Sequence, residues 1–380
     1  MENRFYRDAY VEVDLDRIYR NYLEVQRLHE DKTFIAVVKS NAYGHGAVRV
    51  SQFLEEKGVD FFAVGTLDEA IELRMHGIKS KILILGIINP EHINKAIQHR
   101  IALTAPNLEW LEAALKHNTG EYDKNVWIHI KVNSHMNRYG TDDVEEIKEM
   151  IKKIEASDHF VYEGIFSHLA LAASTSYGAQ KEIDKFKTIV ESVKRPQFVH
   201  VLNSAGSLLF NSDFTNAVRV GISLYGYYPS LMVKEKSQIP LNPALRLITH
   251  VVDTHDLKKN DFVGYDETFI VDSDTKIATI PIGYGDGLLR KHTGYTVKVN
   301  EKNHPFVGRI CMDAAMIEVD AKVGDEVIVI DNHYDSPQSL ERFSAHVGTI
   351  PYESTNLLTR RLPRVYKQSG EMDVSNEILK

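Results

Sequence analysis

The sequence predicts an α/β chain in which an N-terminal (β/α)8 barrel, a TIM barrel, precedes a C-terminal all-β domain. Three observations carry this reading. Eight short apolar runs alternate with helix-like segments over the first two-thirds of the 380 residues, the pattern of a parallel sheet with helical crossovers. The intervening segments repeat apolar residues at helical spacing. Beyond Pro240-Leu-Asn-Pro243 the runs shorten and turn residues separate them, as in an antiparallel β domain.

The candidate barrel strands are Thr33–Lys39, Phe61–Gly65, Lys81–Gly86, Ile101–Thr104, Val126–Val132, Tyr162–His168, Phe198–Asn203 and Val218–Leu224. Between them, Val144, Ile147, Ile151 and Ile154 share one helix face, as do Ile183, Phe186, Val190 and Val193. Thr66-Leu-Asp-Glu69 fits a capping box and Gly77 a helix stop. A doubly wound open sheet is the competing architecture, but it asks for a Gly-x-Gly-x-x-Gly turn after the first strand. Gly44-His-Gly46 is too short to supply one. Leu245–Asp253, Thr275–Ile282, Tyr295–Val299, Ala315–Val319 and Glu326–Ile330 are the clearest strands of the second domain. The expected division is residues 10–240 and 241–380. The strand-like Tyr10–Val13 precedes the barrel and is free to pair with either domain, with residues 1–14 a candidate partner of the β domain.

Composition narrows the functional classes. Hydrophobic residues make up 43% and charged residues 26% of the chain, with a net charge of −8, as in ordinary soluble proteins. No basic block interleaved with aromatics is present, which argues against nucleic acid as a partner. Cys311 is the single cysteine, so no intrachain disulfide is available. No apolar run reaches the ~18 residues of a membrane span, and Met1-Glu-Asn-Arg-Phe-Tyr-Arg-Asp8 lacks the apolar core of a signal peptide. The expectation is a cytoplasmic protein that does not contact membranes. No metal-binding pattern is read from the sequence.

Chemistry is concentrated in Phe34-Ile-Ala-Val-Val-Lys-Ser-Asn-Ala-Tyr-Gly-His-Gly46. Lys39 closes a buried apolar strand. Lysines at strand ends are ordinarily solvated, but burial here would lower the amine pKa and expose a neutral nucleophile. A neutral amine forms a Schiff base with an aldehyde. Tyr43 adds a hydroxyl, and Gly44 and Gly46 permit a tight loop suited to an anion. An aldehyde together with a phosphate points to pyridoxal 5'-phosphate (PLP).

A barrel places its chemistry at the C-terminal ends of its strands. His168 and the Asn203-Ser-Ala-Gly-Ser207 run stand at such ends, and Arg219-Val-Gly-Ile222 lies in the eighth strand. The loops after strands seven and eight commonly bind phosphate. Ser204, Gly206, Gly221 and the backbone of Ile222 fit that role. In the second domain Tyr265, Tyr284, Gly308-Arg-Ile-Cys-Met-Asp313 and Ile350-Pro-Tyr-Glu353 form another cluster. Tyrosines of β domains are usually packing residues, and periodicity alone assigns none of them a catalytic role.

With these residues in view the chain resembles the bacterial alanine racemases from about Tyr10 to Tyr366. Val38-Lys-Ser-Asn-Ala-Tyr-Gly-His-Gly46 is similar to the family's PLP-lysine signature. Asn203-Ser-Ala-Gly206, Arg219-Val-Gly-Ile-Ser-Leu-Tyr-Gly226, Pro281-Ile-Gly-Tyr284, Gly308-Arg-Ile-Cys-Met-Asp313 and Arg361-Leu-Pro-Arg364 follow in family order. The resemblance implies interconversion of L- and D-alanine for peptidoglycan by a homodimer with shared sites. Lys39 would carry PLP and exchange the Cα proton on one face, with Tyr265 of the partner subunit serving the other. Tyr43, Tyr352, Ser204, Gly221 and Ile222 would hold the phosphate. His168, Asn203 and Arg219 complete the implied cofactor contacts. Arg138, Met312 and Asp313 would hold the substrate, and Lys131 matches a position that is carbamylated in many members. Chemically, racemisation removes a proton from one face and returns one to the opposite face, so two opposed acid–base groups are expected. Phenol is a poor base unless tuned, and a positive His168 linked to Arg219 is the expected tuning device.

Several positions depart from the family pattern. His135 replaces a glycine in Lys131-Val-Asn-Ser-His-Met-Asn-Arg-Tyr-Gly140, where a left-handed backbone is a possible reason for glycine. Ala173 stands where an acid is usual after His168, Gly264 replaces a serine beside Tyr265, and Asn356 replaces a cysteine. These leave open a broader or serine-type amino-acid racemase. A non-catalytic PLP-binding regulatory protein is the third class, disfavoured because such single-domain proteins lack a β domain and a tyrosine like Tyr265.

Overall fold

The computed structural model describes residues 6–122 and 125–379. Two compact units emerge: Tyr19–Ala42 with Ala47–Leu241, and Met1–Ile18 with Tyr43–Gly46 and Asn242–Lys380.

The first unit is the barrel. With the leading strand Ala9–Asp14 as β1, its strands are β2 (Thr33–Val37), β3 (Phe61–Val64), β4 (Lys81–Ile84), β5 (Leu103–Ala105), β6 (Val126–Lys131), β7 (Phe160–Phe166), β8 (Phe198–His200) and β9 (Ala217–Val220). They pair in parallel in the order β4-β3-β2-β9-β8-β7-β6-β5. A parallel bridge between Leu83 and Ala102 joins the two ends of that order, with the amides of Ile84 and Ala102 donating to Ala102 O and Ile82 O. Such strands are covered on both faces, so β3 and β9 are buried throughout. Amphipathic helices pack outside. In Val144–Glu155, Ile147, Met150, Ile151 and Ile154 are buried, and in Ser176–Glu191 so are Ile183, Phe186, Ile189 and Val190. Helix Leu67–Met75 opens on the Thr66–Glu69 capping box, and Gly77 follows its last turn at φ +90°.

The strands stop earlier than the apolar runs predict. β2 ends at Val37 rather than Lys39, β7 at Phe166 rather than His168, β8 at His200 rather than Asn203, and β9 at Val220 rather than Leu224. The fourth run is displaced, with β5 starting at Leu103 instead of Ile101. The shortfall has a common cause. The chemistry-bearing residues lie just past the ladder, where the backbone turns. After Lys39 it makes a left-handed turn, with Ser40, Asn41, Ala42 and Tyr43 all near φ +53°. After β9, Gly221 (φ −108°, ψ −98°) leads into a tight turn over Ile222–Tyr225.

The second unit is built on a sheet that holds ten strands among the described residues. β1 lies inside it, antiparallel to Leu245–His250 and parallel to Arg364–Gln368. Residues 1–5 of the predicted 1–14 segment lie outside the described residues. This unit is mostly strands but carries two short helices, Leu340–His346 and Pro351–Leu357, so the expected all-β composition is not complete. Among the described residues no helix is long and apolar enough to cross a membrane.

Arg364, 1% exposed, organises the Tyr43–Gly46 segment. Its guanidinium donates five hydrogen bonds, two to Gly44 O and one each to Leu358 O, Thr359 O and Leu362 O. Gly44 adopts φ +79°, and a Cβ there would stand 2.2 Å from Thr355 O. Gly44→Ala is therefore expected to cost about 2 kcal/mol or more, from a left-handed strain and a backbone collision together. Chemical denaturation of the variant checks this, and an unchanged midpoint would refute it.

Candidate active site

Lys39 is half-buried on the turn that follows β2. Glu69 fixes that turn. Its carboxylate accepts from the amides of Ser40 (2.6 Å), Gly65 (2.7 Å) and Thr66 (3.2 Å). The aliphatic stem of Lys39 passes Gly65 at van der Waals distance from where a Cβ would be. Burial lowers the amine pKa first, and the nearby charges of Arg138 and Arg219 lower it further, against an opposing pull from Glu69. Glu69 is a site residue that the sequence reading treated only as helix punctuation. The capping box was the visible signal, but nothing in it announces that the same carboxylate also holds the neighbouring turn.

Arg219, from β9, is 3% exposed. Its Nη1 donates to His200 Nδ1 (2.8 Å) and His200 O (3.1 Å), and its Nη2 to Ser167 O (2.6 Å) and more weakly to His168 Nδ1 (3.4 Å). Phe166 covers the guanidinium, 5.1 Å from its ring centre. Burial and the charge of Arg138 pull its pKa down to about 9, so it stays protonated at neutral pH. His168 is not the positive group expected. Burial, and then Arg219, Arg138, Lys131 and Lys39, hold its pKa well below the usual range, so the ring is neutral and the positive potential comes from the arginines.

The phosphate candidates of the barrel come together. Ser204 Oγ accepts from the amide of Gly221 at 2.9 Å, and Ile222 follows directly. Asn203 caps the short helix Ser204–Leu209 through Gly206 N and donates to Leu169 O, with His168 Nε2 at 3.5 Å. A hydroxyl, adjacent backbone amides, an amine of lowered pKa and a cationic donor suit the phosphate, the aldehyde and the ring nitrogen of PLP in that order.

Lys131 ends β6 and is buried. Its Nζ donates to Val132 O at 2.5 Å and lies 5.5 Å from the Phe166 ring centre. Burial, with Arg219 and Arg138, lowers its pKa to about 7. Arg138 is exposed, stacked 5.5 Å over Tyr139, on a loop braced by reciprocal hydrogen bonds between Asn133 and Asn137. The left-handed residues of that segment are Asn137 (φ 55°) and Gly140 (φ 97°), and His135 is not among those with positive φ. The glycine-to-histidine departure thus carries no backbone strain.

In the other unit, Tyr43 and Tyr352 face each other with ring centres 6.1 Å apart. Burial and then Tyr43 push the Tyr352 phenol up. Tyr265 is 67% exposed on the rim of a pocket formed with His255, Phe262, Cys311 and Met316. Asp266 beside it pairs with Arg309 at 2.9 Å. Gly264 takes φ +76°, with Met316 Cε 3.0 Å from where a Cβ would be. Met312 O accepts from Gly285 N, and Asp313 pairs with Arg361 at 2.5 Å, which pins the Met312–Asp313 loop.

Comparison with known proteins identifies the domains of the chain. Residues 13–229 fit the model of the alanine racemase N-terminal domain and residues 244–366 that of the C-terminal domain. The chain belongs to the alanine racemase family. An alanine racemase of Staphylococcus epidermidis is 46% identical over the full length of both chains. The structure of the alanine racemase from Bacillus anthracis with bound L-Ala-P superposes with a TM-score of 0.94 at 36% identity, covering 99% of this chain and 100% of that one. A histidine racemase from Leuconostoc mesenteroides superposes at 0.88 with 26% identity, covering 97% and 100%. The structures that superpose on this chain are thus named for more than one amino acid.

The Lys131 amine makes a signed prediction. Its pKa is about 7 when folded against an ordinary 10.5, so across that window the unfolded chain holds the extra proton. Stability therefore rises with pH between those values, and the full cost of burial is felt below them. In CO2-free buffer, Lys131→Met is expected to raise Tm most near neutral pH, with the gain shrinking toward pH ~10. A gain that does not vary with pH would contradict this.

Proposed function

We propose that this protein is a PLP-dependent alanine racemase in which Lys39 and Tyr265 of the partner subunit act on opposite faces of the substrate. The observation that carries the reading is the Lys39 amine, half-buried on a clamped turn with its pKa lowered beside Arg138 and Arg219. Bound PLP supplies the electron withdrawal that acidifies the substrate Cα–H. The residues of the chain do the rest. Lys39 would hold the cofactor and move a proton at Cα on one face, which a neutral amine does and an ammonium does not. The Tyr265 hydroxyl would move the proton on the other face. Its exposure in a single chain is what a residue offered to a partner's site requires. Arg219 only donates hydrogen bonds, so it would leave the pyridine nitrogen unprotonated and keep the ring a modest electron sink, which favours proton return to Cα.

Ser204, Gly221, Ile222, Tyr43 and Tyr352 would hold the phosphate, with His168 and Asn203 lining the cofactor. Arg138, Met312 and Asp313 would hold the substrate. Lys131, with a pKa near 7, is an amine able to add CO2, and the carbamate so formed would be an anion drawn to Arg138 and Arg219. The full-length match to enzymes named alanine racemase supports alanine as substrate. A cytoplasmic homodimer making D-alanine for peptidoglycan is the role that this activity fits.

Two measurements test the reading. Purified protein with PLP should show the absorbance band of a lysine-bound cofactor, converted by borohydride and lost in Lys39→Ala. A wild-type protein that takes up no PLP overturns the proposal. Mixing inactive Lys39→Ala and Tyr265→Phe proteins should restore about one quarter of wild-type activity, since every second dimer then holds one intact site. No recovery after verified subunit exchange would place both groups on one chain. For specificity, kcat/KM for alanine should exceed that for serine and for histidine by about tenfold or more. A preference for either competitor removes the alanine assignment.

A further inference from the structure

A line of hydrogen-bonded side chains runs through the barrel interior from β4 to Arg219. Lys81 Nζ contacts Glu163 Oε1, Glu163 Oε2 lies 3.1 Å from His129 Nε2, His129 Nδ1 lies 2.9 Å from His200 Nε2, and His200 Nδ1 lies 2.8 Å from Arg219 Nη1. Glu163, His129, His200 and Arg219 are all buried. The rings are held from the side as well. His200 stacks on Phe166 at 4.9 Å and 5°, and His129 on Phe198 at 6.1 Å and 14°. Gly164 makes room for the line, since a Cβ there would stand 2.2 Å from His129 Nδ1.

The direction of every bond in this line is determined. Arginine has only donors and an ionised carboxylate only acceptors. Arg219 therefore donates to His200 Nδ1, which must be unprotonated, so the neutral ring carries its hydrogen on Nε2. That hydrogen goes to His129 Nδ1, which fixes the second ring in the same tautomer. Its Nε2–H then goes to Glu163. Reversing any one link sets two donors against each other at about 2.9 Å. Among the described residues no carboxylate pairs directly with Arg219, although a buried cation without a counter-charge is costly.

We propose that Glu163 is the remote counter-anion of Arg219, coupled to it through two neutral imidazoles locked as Nε2–H tautomers. Glu163, His129 and His200 are then positioning residues. They hold the guanidinium's orientation and stabilise its charge from inside the barrel, beyond reach of any ligand at the mouth. That the held group serves a cofactor's ring nitrogen rests on the proposed function. The tautomer lock does not.

Long-range 1H–15N correlation spectra of protein labelled with [15N]histidine test the lock in the full chain, with and without added PLP. His129→Phe and His200→Phe assign the two signals. At pH ~8 both rings should appear as Nε2–H tautomers in wild type, whether or not PLP is bound. An Nδ1–H tautomer or an imidazolium at either position overturns the proposal, and this measurement needs no variant of Glu163. Glu163→Gln removes the charge while keeping the shape. It should let the two rings sample the other tautomer, and should lower kcat by about tenfold to a hundredfold with KM little changed, the size typical of an outer partner that orients a buried ligand-binding group. Glu163→Asp should recover part of the loss. Tautomers that are unaltered in Glu163→Gln would show that the carboxylate does not set them. If the lock is present but the protein binds no PLP, the cofactor reading fails and the counter-anion assignment stands.

Discussion

Arg219 brings a guanidinium into the barrel where almost no water reaches it, and its charge biases the protonation of the groups around it in one direction. Its charge, with that of Arg138, helps lower the pKa of Lys131 to about 7 and also depresses Lys39 and His168. Burial is the larger cause at each of these groups. The arginines add a field that burial alone does not supply, and it acts in one direction. Every amine and imidazole near the mouth is biased to give up its proton. The roles proposed for Lys39 as a free amine and for His168 as a neutral ring are both favoured by the same two fixed charges.

Much of this was legible in the sequence, and the limits have physical causes. The alternation of apolar runs gives the barrel because parallel strands covered on both faces are continuous stretches of Val, Ile, Leu, Phe and Ala, as in Phe61–Val64. The same continuity hides where a strand stops. Val38 is as apolar as Val37, yet the ladder ends between them and the chain turns left-handed two residues later. Interior polar residues are hidden for a related reason. In Val126-Trp-Ile-His-Ile-Lys131 the histidine is one polar residue in an apolar run, and its partners Glu163 and His200 are 34 and 71 residues away. Spacing along the chain cannot reveal a line that crosses neighbouring strands. The sign of His168 was missed because its charge depends on Arg219, Arg138, Lys131 and Lys39 together, and no local motif contains them.

The clamps that hold the proposed catalytic groups share one design. Each uses a carboxylate or carbonyl to tie down backbone that local propensity would not hold. Four successive non-glycine residues near φ +53° after Lys39 are costly in isolation, at roughly 1–2 kcal/mol each. Glu69 offsets part of that cost by binding the Ser40 amide and the Gly65–Thr66 amides with one side chain. The result is a lysine whose backbone is fixed by the scaffold while its amine stands at the end of a four-carbon stem. That combination suits a group that must hold one partner and then exchange a proton with another.

A comparison of the two buried arginines separates a structural role from a functional one. Arg364 and Arg219 are almost equally inaccessible, and neither has a carboxylate partner among the described residues. Arg364 spends all five of its donor hydrogens on backbone carbonyls, the full capacity of a guanidinium. Nothing is left over, and its task is completed by the fold. Arg219 commits Nη1 and Nη2 to His200, Ser167 and His168, and its Nε–H has no acceptor among the described residues. Among the described residues that nitrogen is not one of the fully buried polar atoms left without a partner, so its hydrogen stays open to solvent or to a ligand. In the function proposed above, that hydrogen is the one a cofactor's ring nitrogen would accept, while the other donors of Arg219 hold the guanidinium in place.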